Sequence, residues 1–237
     1  MLTWDVIILL DWLFRPYNEN SLFLISLKEE VNAIADRHHL NLLKKGVSAW
    51  NDWREKRRDV QPQLNGADLS GASLQRANLT RANLSGAQLN AADFTEAQIS
   101  KAYLIRAEAS GANLSAANLS GADLRETTLL QANLSHADLS RANLSLANLR
   151  ATNLNAADLY MADLSAADLS GANLSEADVR GADFNHADLS GIHLDAARLT
   201  GARLTGPLPL QDAAFIGSDG SSATAAYEVS TNAAGVP

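Results

Sequence analysis

From Leu64 to Leu204 an apolar side chain recurs at every fifth residue without a slip. Of these 29 positions most are Leu, with Phe94, Ile99, Val179 and Phe184 as variants, and only Ala109 is small. Two residues ahead of each large position sits a second fixed site. It is alanine in 25 of 28 cases from Ala67 to Ala202, interrupted by Thr127, Thr152 and Ile192. The residue between the two is mostly Asn or Asp, as in Ala132-Asn133-Leu134-Ser135 and Ala137-Asp138-Leu139-Ser140. A period of five matches neither the 3.6 of an α-helix nor the 2 of a β-strand. One large and one tiny inward site per quintet predict a tightly wound solenoid, with Leu filling the centre and Ala where the backbone turns close to the axis. The ten glycines between 64 and 206 share one phase, the one predicted to hold unusual backbone angles at a corner. No proline falls within 63–206, so no ladder hydrogen bond is lost to one.

Upstream of the quintets the spacing turns helical. Leu24, Leu27, Val31 and Ile34 recur at three and four, and Ser26-Leu27-Lys28-Glu29 has the form of a capping box. A second helix is predicted at about 41–58, with Leu43, Val47 and Trp50 on one face. Its last turn carries Arg54, Lys56, Arg57 and Arg58, where the helix dipole favours cations and water solvates them; Pro62 follows. This helix is expected to cover the open first coil at Leu64 and Leu69, since a bare coil end invites end-to-end association. The chain thus divides into a helical region 1–63, a repeat 64–206 and a polar tail 207–237, predicted to be partly disordered. Whether Pro207–Leu210 and Phe215-Ile216 fold across the last coil is left open by the sequence.

The Ala-(Asn/Asp)-Leu-x-x quintets resemble the pentapeptide-repeat family over 143 of 237 residues. The stretch Leu42-Leu43…Gly46…Trp50-Asn51…Trp53-Arg54…Pro62 is similar to a lead-in that precedes such repeats in cyanobacterial members. The resemblance implies a mainly β fold, a right-handed quadrilateral β-helix with four quintets per coil, here with an N-terminal α-helical cap region. Residues twenty apart then become neighbours about 4.8 Å apart, and 29 quintets make a rod roughly 35 Å long. In that register Asn113, Asn133, Asn153 and Asn173 form an amide column. Arg76 lies under Glu96, Arg106 under Glu126, and Tyr160 beside Arg180. Asp138, Asp158 and Asp178 stack below Arg198, and Asp163 and Asp183 stack below Arg203. Phe94 is expected to lean toward the space that Ala109 leaves.

Composition narrows the chemistry. The 19 basic and 27 acidic residues give a net charge of -8, which argues against a nucleic-acid binder, and there is no cysteine for disulfides, thiolate metal sites or nucleophiles. The apolar start Val6–Leu10 is bracketed by Asp5 and Asp11. It lacks a basic leader and a cleavage site and is far short of a span, so a cytoplasmic protein without a membrane span is expected. His38, His39, His136, His186 and His193 show no metal-ligand spacing, and His186 and His193, which flank Asp188, are expected at solvated corners. No hydrolase, phosphate-loop or dinucleotide motif occurs; the reading is of a non-enzyme that needs no cofactor or metal.

Charge is uneven along the rod. Residues 54–106 carry a net +3, and residues 158–188 carry a net −6. The candidate partner-binding surface is therefore acidic: Asp138, Asp158, Asp163, Asp168, Asp178, Asp183 and Asp188. Two functions follow. One is a non-catalytic scaffold or protein-interaction module whose rigid rod offers flat faces to a protein partner, as a monomer or an end-to-end dimer. The alternative comes from the resemblance, because some family members inhibit or protect DNA gyrase by imitating duplex DNA. Those members tend to dimerise through a capped C-terminal coil, and some carry loops that break the phase. Here the phase never breaks and the tail is polar, which favours the scaffold.

Overall fold

The computed structural model describes residues 35–204. The expected helix up to Ile34, the apolar start and the tail from residue 207 lie outside the described residues. From Gln63 onward, residues twenty apart pair in parallel, in 25 bridges that run unbroken from Gln63–Asn83 to Asp183–Arg203. The bridges fall into four columns, which define four faces of a square coil. Face 1 is centred on Asn83, Tyr103, Asp123, Asn143, Asp163 and Asp183, and face 2 on Asp68, Glu108, Asn148, Asp168 and Asp188. Face 3 is centred on Asp93, Asn113, Asn133, Asn153 and Asn173, and face 4 on Asn78, Asn118, Asp138, Asp158 and Asp178.

Accounting for the backbone donors explains why the repeat has the sequence it has. In the quintet Ala137–Arg141, the Ala137 N–H donates to the Leu134 carbonyl (3.1 Å) and folds the corner. The Asp138 N–H reaches down one coil to Ala117 (2.9 Å), while the Leu139 and Arg141 N–H groups reach up one coil to Asp158 (2.7 Å) and Tyr160 (2.8 Å). The fifth donor, Ser140 N–H, has no backbone partner and donates to Asp138 Oδ1 at 2.9 Å. Where the face centre is Asn or Asp, its side chain thus completes the hydrogen bonding of the quintet, by the local bonding that suits these residues to turns. On face 3 the amides also link up the column, Asn133 Nδ2 to Asn113 Oδ1 at 3.2 Å and Asn153 Nδ2 to Asn133 Oδ1 at 3.1 Å.

The interior is filled by the Leu and Ala columns, both essentially free of solvent through the middle coils. Each buried Leu contributes about 1.5–3 kcal/mol by removal from water. Two of the three exceptions in the alanine column bury a hydroxyl and satisfy it: Thr127 Oγ1 donates to the Leu104 carbonyl and Thr152 Oγ1 to Leu149, both at 2.7 Å. All 28 corners from Gly66 to Gly201 are left-handed, with φ between +51° and +74°. The glycine phase is therefore the corner, as the sequence predicts. Nineteen of these corners are not glycine, however, and hold residues such as Arg141, Leu146 and Ala151 at a cost that the ladder overrides.

Ahead of the coil stand α1 (Arg37–Lys44) and α2 (Val47–Lys56). One helix at about 41–58 was expected; Gly46, at φ +111°, divides it into two. The first begins early because Asp36 caps it, its Oδ1 accepting the His38 N–H (2.7 Å) and the His39 N–H (3.1 Å). Leu43 and Trp50 are buried in the same apolar cluster as Leu64 and the rest of the Leu column.

Candidate functional site

Two kinds of special surface emerge: the first rung, where the coil has no predecessor, and the charged faces above it. Within the rod, the N–H at a face centre donates to the coil before, and two carbonyls accept from it. For Asp138 and Ser140 those carbonyls accept from Leu119 and Gly121. On the first rung of face 4 the same three groups are Asn78 N–H, Asn78 C=O and Thr80 C=O. Side chains of α2 take all three: Asn51 Oδ1 accepts the Asn78 N–H (2.8 Å), Trp50 Nε1 donates to Asn78 O (2.8 Å) and Arg54 Nη2 donates to Thr80 O (3.1 Å). Asn51 Nδ2 adds a bond to Arg76 O at 3.0 Å. On face 1, His39 Nδ1 accepts the Gln63 N–H (3.2 Å) and the Asp36 N–H donates to Gln63 O (2.9 Å).

Arg54 corrects an expectation. It was read as part of a solvated helix end, yet it is 4% exposed, and its Nη1 also holds the carbonyls of Val60 (2.7 Å) and Arg57 (3.3 Å). Burial, with Arg81 nearby, lowers its pKa, but a guanidinium stays charged in a protein. Among the described residues its Nε has no hydrogen-bond partner. His39 is buried against Trp53, with ring centroids 4.9 Å apart. Burial holds its pKa below the ordinary value, with Asp36 opposing and His38 and Arg54 adding to the depression. The neutral ring is also the one with a lone pair on Nδ1 for Gln63.

Each of the seven predicted acids is committed to its own turn. The carboxylates of Asp138, Asp158, Asp163, Asp168, Asp178, Asp183 and Asp188 all accept the backbone N–H two residues on, at 2.9–3.2 Å. They occupy faces 1, 2 and 4 and do not converge on one site. Three of them also face cations. Asp178 binds Arg180 (2.6 Å) and Arg198 (3.1 Å), Asp183 binds Arg203 (2.6 Å), and Arg150 approaches Asp168 at 3.9 Å. The Arg180 side-chain hydrogen bond holds the Asp178 carboxyl below the usual range, and the Ser190 hydroxyl and N–H do the same for Asp188. Among the described residues Asp138, Asp158, Asp163 and Asp188 make no ion pair.

The predicted columns are in place. Arg76 and Arg106 each pair with the glutamate one coil up at 2.8 Å, and Arg180 lies 5.6 Å from the centroid of the Tyr160 ring. His186 sits at a left-handed corner as expected, whereas His193 pairs with Asn173 at the centre of face 3. Among the described residues no group of His, Asp or Glu is arranged to hold a metal ion, and no helix is long and apolar enough to cross a membrane.

The family model for pentapeptide repeats matches eight copies, over residues 63–95, 92–131, 132–171 and 172–206. The chain belongs to the pentapeptide-repeat family. Its coil is the right-handed quadrilateral β-helix of that family. Among solved structures the chain is similar to HetL, a pentapeptide-repeat protein involved in heterocyst differentiation regulation in the cyanobacterium Nostoc sp. strain PCC 7120. That match has 29% identity over 65% of this chain and 86% of HetL, with a TM-score of 0.45. It is also similar to the pentapeptide-repeat protein Rfr23 of the cyanobacterium Cyanothece 51142 (33% identity, 44% and 64% coverage, TM-score 0.28). A third is QnrB1, a plasmid-mediated fluoroquinolone resistance protein (19% identity, 59% and 77% coverage, TM-score 0.42). Comparison with the curated proteins gives no match.

Proposed function

We propose that this pentapeptide-repeat chain is a non-catalytic scaffold, a protein-interaction module that uses its acidic upper coils to hold a basic protein partner. The observation that carries this reading is the way the acids are mounted. Asp138, Asp158, Asp163 and Asp188 each have one oxygen tied to their own backbone and, among the described residues, make no ion pair. Charges fixed in this way lose little freedom on binding, which lowers the entropic cost of association. In this reading α1 and α2 cap the first coil, so the rod ends in ordered helix instead of an open edge. Imitation of DNA toward gyrase is less well supported, because Arg150, Arg180, Arg198 and Arg203 neutralise part of the acidic zone and its carboxylates spread over three faces.

Asparagine preserves the turn bond and removes only the charge, so the test separates surface from fold. Proteins that co-purify with the wild-type chain from its native cell should be lost with the quadruple variant Asp138→Asn, Asp158→Asn, Asp163→Asn, Asp188→Asn. Retention of the same proteins would refute the acidic docking surface. Inhibition of gyrase supercoiling by the wild-type protein at micromolar concentration would replace the scaffold reading with DNA imitation.

A further inference from the structure

The ten cations on the coil between residues 64 and 204 divide cleanly. Seven make an ion pair: Arg76, Arg106, Arg125, Arg150, Arg180, Arg198 and Arg203. Arg81, Lys101 and Arg141 make none among the described residues. They are all exposed and they all stand in one column, the corner between faces 4 and 1. Read upward, that corner is Arg81, Lys101, Gly121, Arg141 and Met161. The gap at Gly121 is used: a Cβ there would lie 3.7 Å from Lys101 Cγ, so the lysine stem runs over the glycine. Because each corner is fixed at φ between +56° and +61° in these three cations, the ridge is held by the ladder and not by a loop. From Arg81 to Arg141 it covers three rung spacings, roughly 14 Å.

Apolar anchors border the same ridge. Tyr103 (44% exposed) lies on face 1 two residues from Lys101, and Tyr160 (36%) and Met161 (52%) close its upper end. Arg, Tyr and Met are the residue types over-represented at protein interfaces. We infer that this corner is a second docking surface, for an acidic, extended protein segment that runs along the rod and alternates carboxylates with apolar side chains. In an extended segment side chains on one face recur about every 6.7 Å, so two to three carboxylates span the distance from Arg81 to Arg141. Nucleic acid fits less well. Among the described coil residues the ridge offers only three cations, and Asp138 and Asp158 on the adjoining face repel a continuous phosphate chain. The inference rests on the scaffold reading and gives it a second arm: a basic partner above and an acidic one below, brought together on one rod.

The probe is a fluorescein-labelled twelve-residue peptide alternating Glu with Leu, titrated at 0.15 M salt and followed by anisotropy. A Lys-for-Glu peptide and a twelve-nucleotide oligothymidylate serve as comparisons. The triple variant Arg81→Gln, Lys101→Gln, Arg141→Gln should weaken Glu-peptide binding at least tenfold. The variant Arg76→Gln, Arg106→Gln, Arg150→Gln, which changes the net charge equally but at paired positions, should weaken it less than threefold. Equal losses in the two triples, no binding by wild type, or oligothymidylate bound as tightly as the peptide would overturn the ridge. Circular dichroism confirms that each variant keeps its coil. The quadruple Asp→Asn variant should retain the peptide, so loss of the basic partner and loss of the acidic one are read separately.

Discussion

The middle of the rod and its first rung solve the same hydrogen-bonding problem by opposite means. In the middle, each coil edge is paired with the backbone of the next, by bonds of nearly constant length from coil to coil. At the first rung the equivalent groups on faces 1 and 4 are taken by Trp50, Asn51, Arg54, His39 and the Asp36 N–H, five different solutions from two short helices and the cap residue before them. Periodicity spreads dependence over many equal contacts. A terminus concentrates it in single side chains whose loss no neighbour repeats. Sensitivity to mutation should therefore be steeper at the contacts between Asp36 and Arg54 than at equivalent polar positions of the middle coils.

The largest test of that contrast is Trp50, fully buried and bonded to Asn78. Trp50→Ala should cost about 3–5 kcal/mol by cavity formation, and Trp50→Phe a smaller but still large amount, about 2–3 kcal/mol, from the lost hydrogen bond and the smaller ring together, measured by urea denaturation. Arg54→Met should cost about 2–4 kcal/mol, because three carbonyls lose a charged donor. If these variants unfold no more readily than Gln131→Ala at an exposed mid-rod corner, the contrast between terminus and middle is broken.

A smaller effect comes from His39. Its folded pKa is depressed, so the unfolded chain binds its proton more readily, and stability must rise with pH through the interval below the ordinary histidine value. The protein should be less stable at pH 5 than at pH 7. His39→Gln, whose side-chain oxygen can still accept the Gln63 N–H, should flatten that difference in thermal melts. An unchanged pH slope in the variant would remove His39 from the first-rung account. The smallest effect belongs to the mid-rod corners. Ala151, at φ +51°, should accept glycine with a gain of up to about 1 kcal/mol, whereas Ala151→Val should lose about 1–2 kcal/mol.

The coil was legible in the sequence because each quintet repeats the same physical demand. Leu64 to Leu204 fixes the period, and the stacking of Arg76 on Glu96 and of Arg106 on Glu126 follows from a step of twenty. The break at Gly46 and the burial of Arg54 were not legible. Nothing in the local pattern of 41–58 shows which helix faces a coil edge, and cations at a helix end are ordinarily solvated. The acids were found by composition, but their part in turn bonding follows only from the geometry of Ser140 and its equivalents. The ridge Arg81–Lys101–Arg141 lay within reach of the register. What hid it was pairing: Arg125 and Arg180 are claimed by carboxylates two residues back, Arg198 and Arg203 by carboxylates twenty back.

The twenty-residue pitch also makes the chain its own ruler. Excising four consecutive quintets shortens it by a single storey and leaves every face looking in its original direction. Excising one quintet keeps the interior sealed but turns everything beyond the cut by a quarter revolution, so Arg141 no longer stands above Lys101. Length and azimuth are thus independent quantities in this architecture, each adjustable by a deletion that no buried Leu need register.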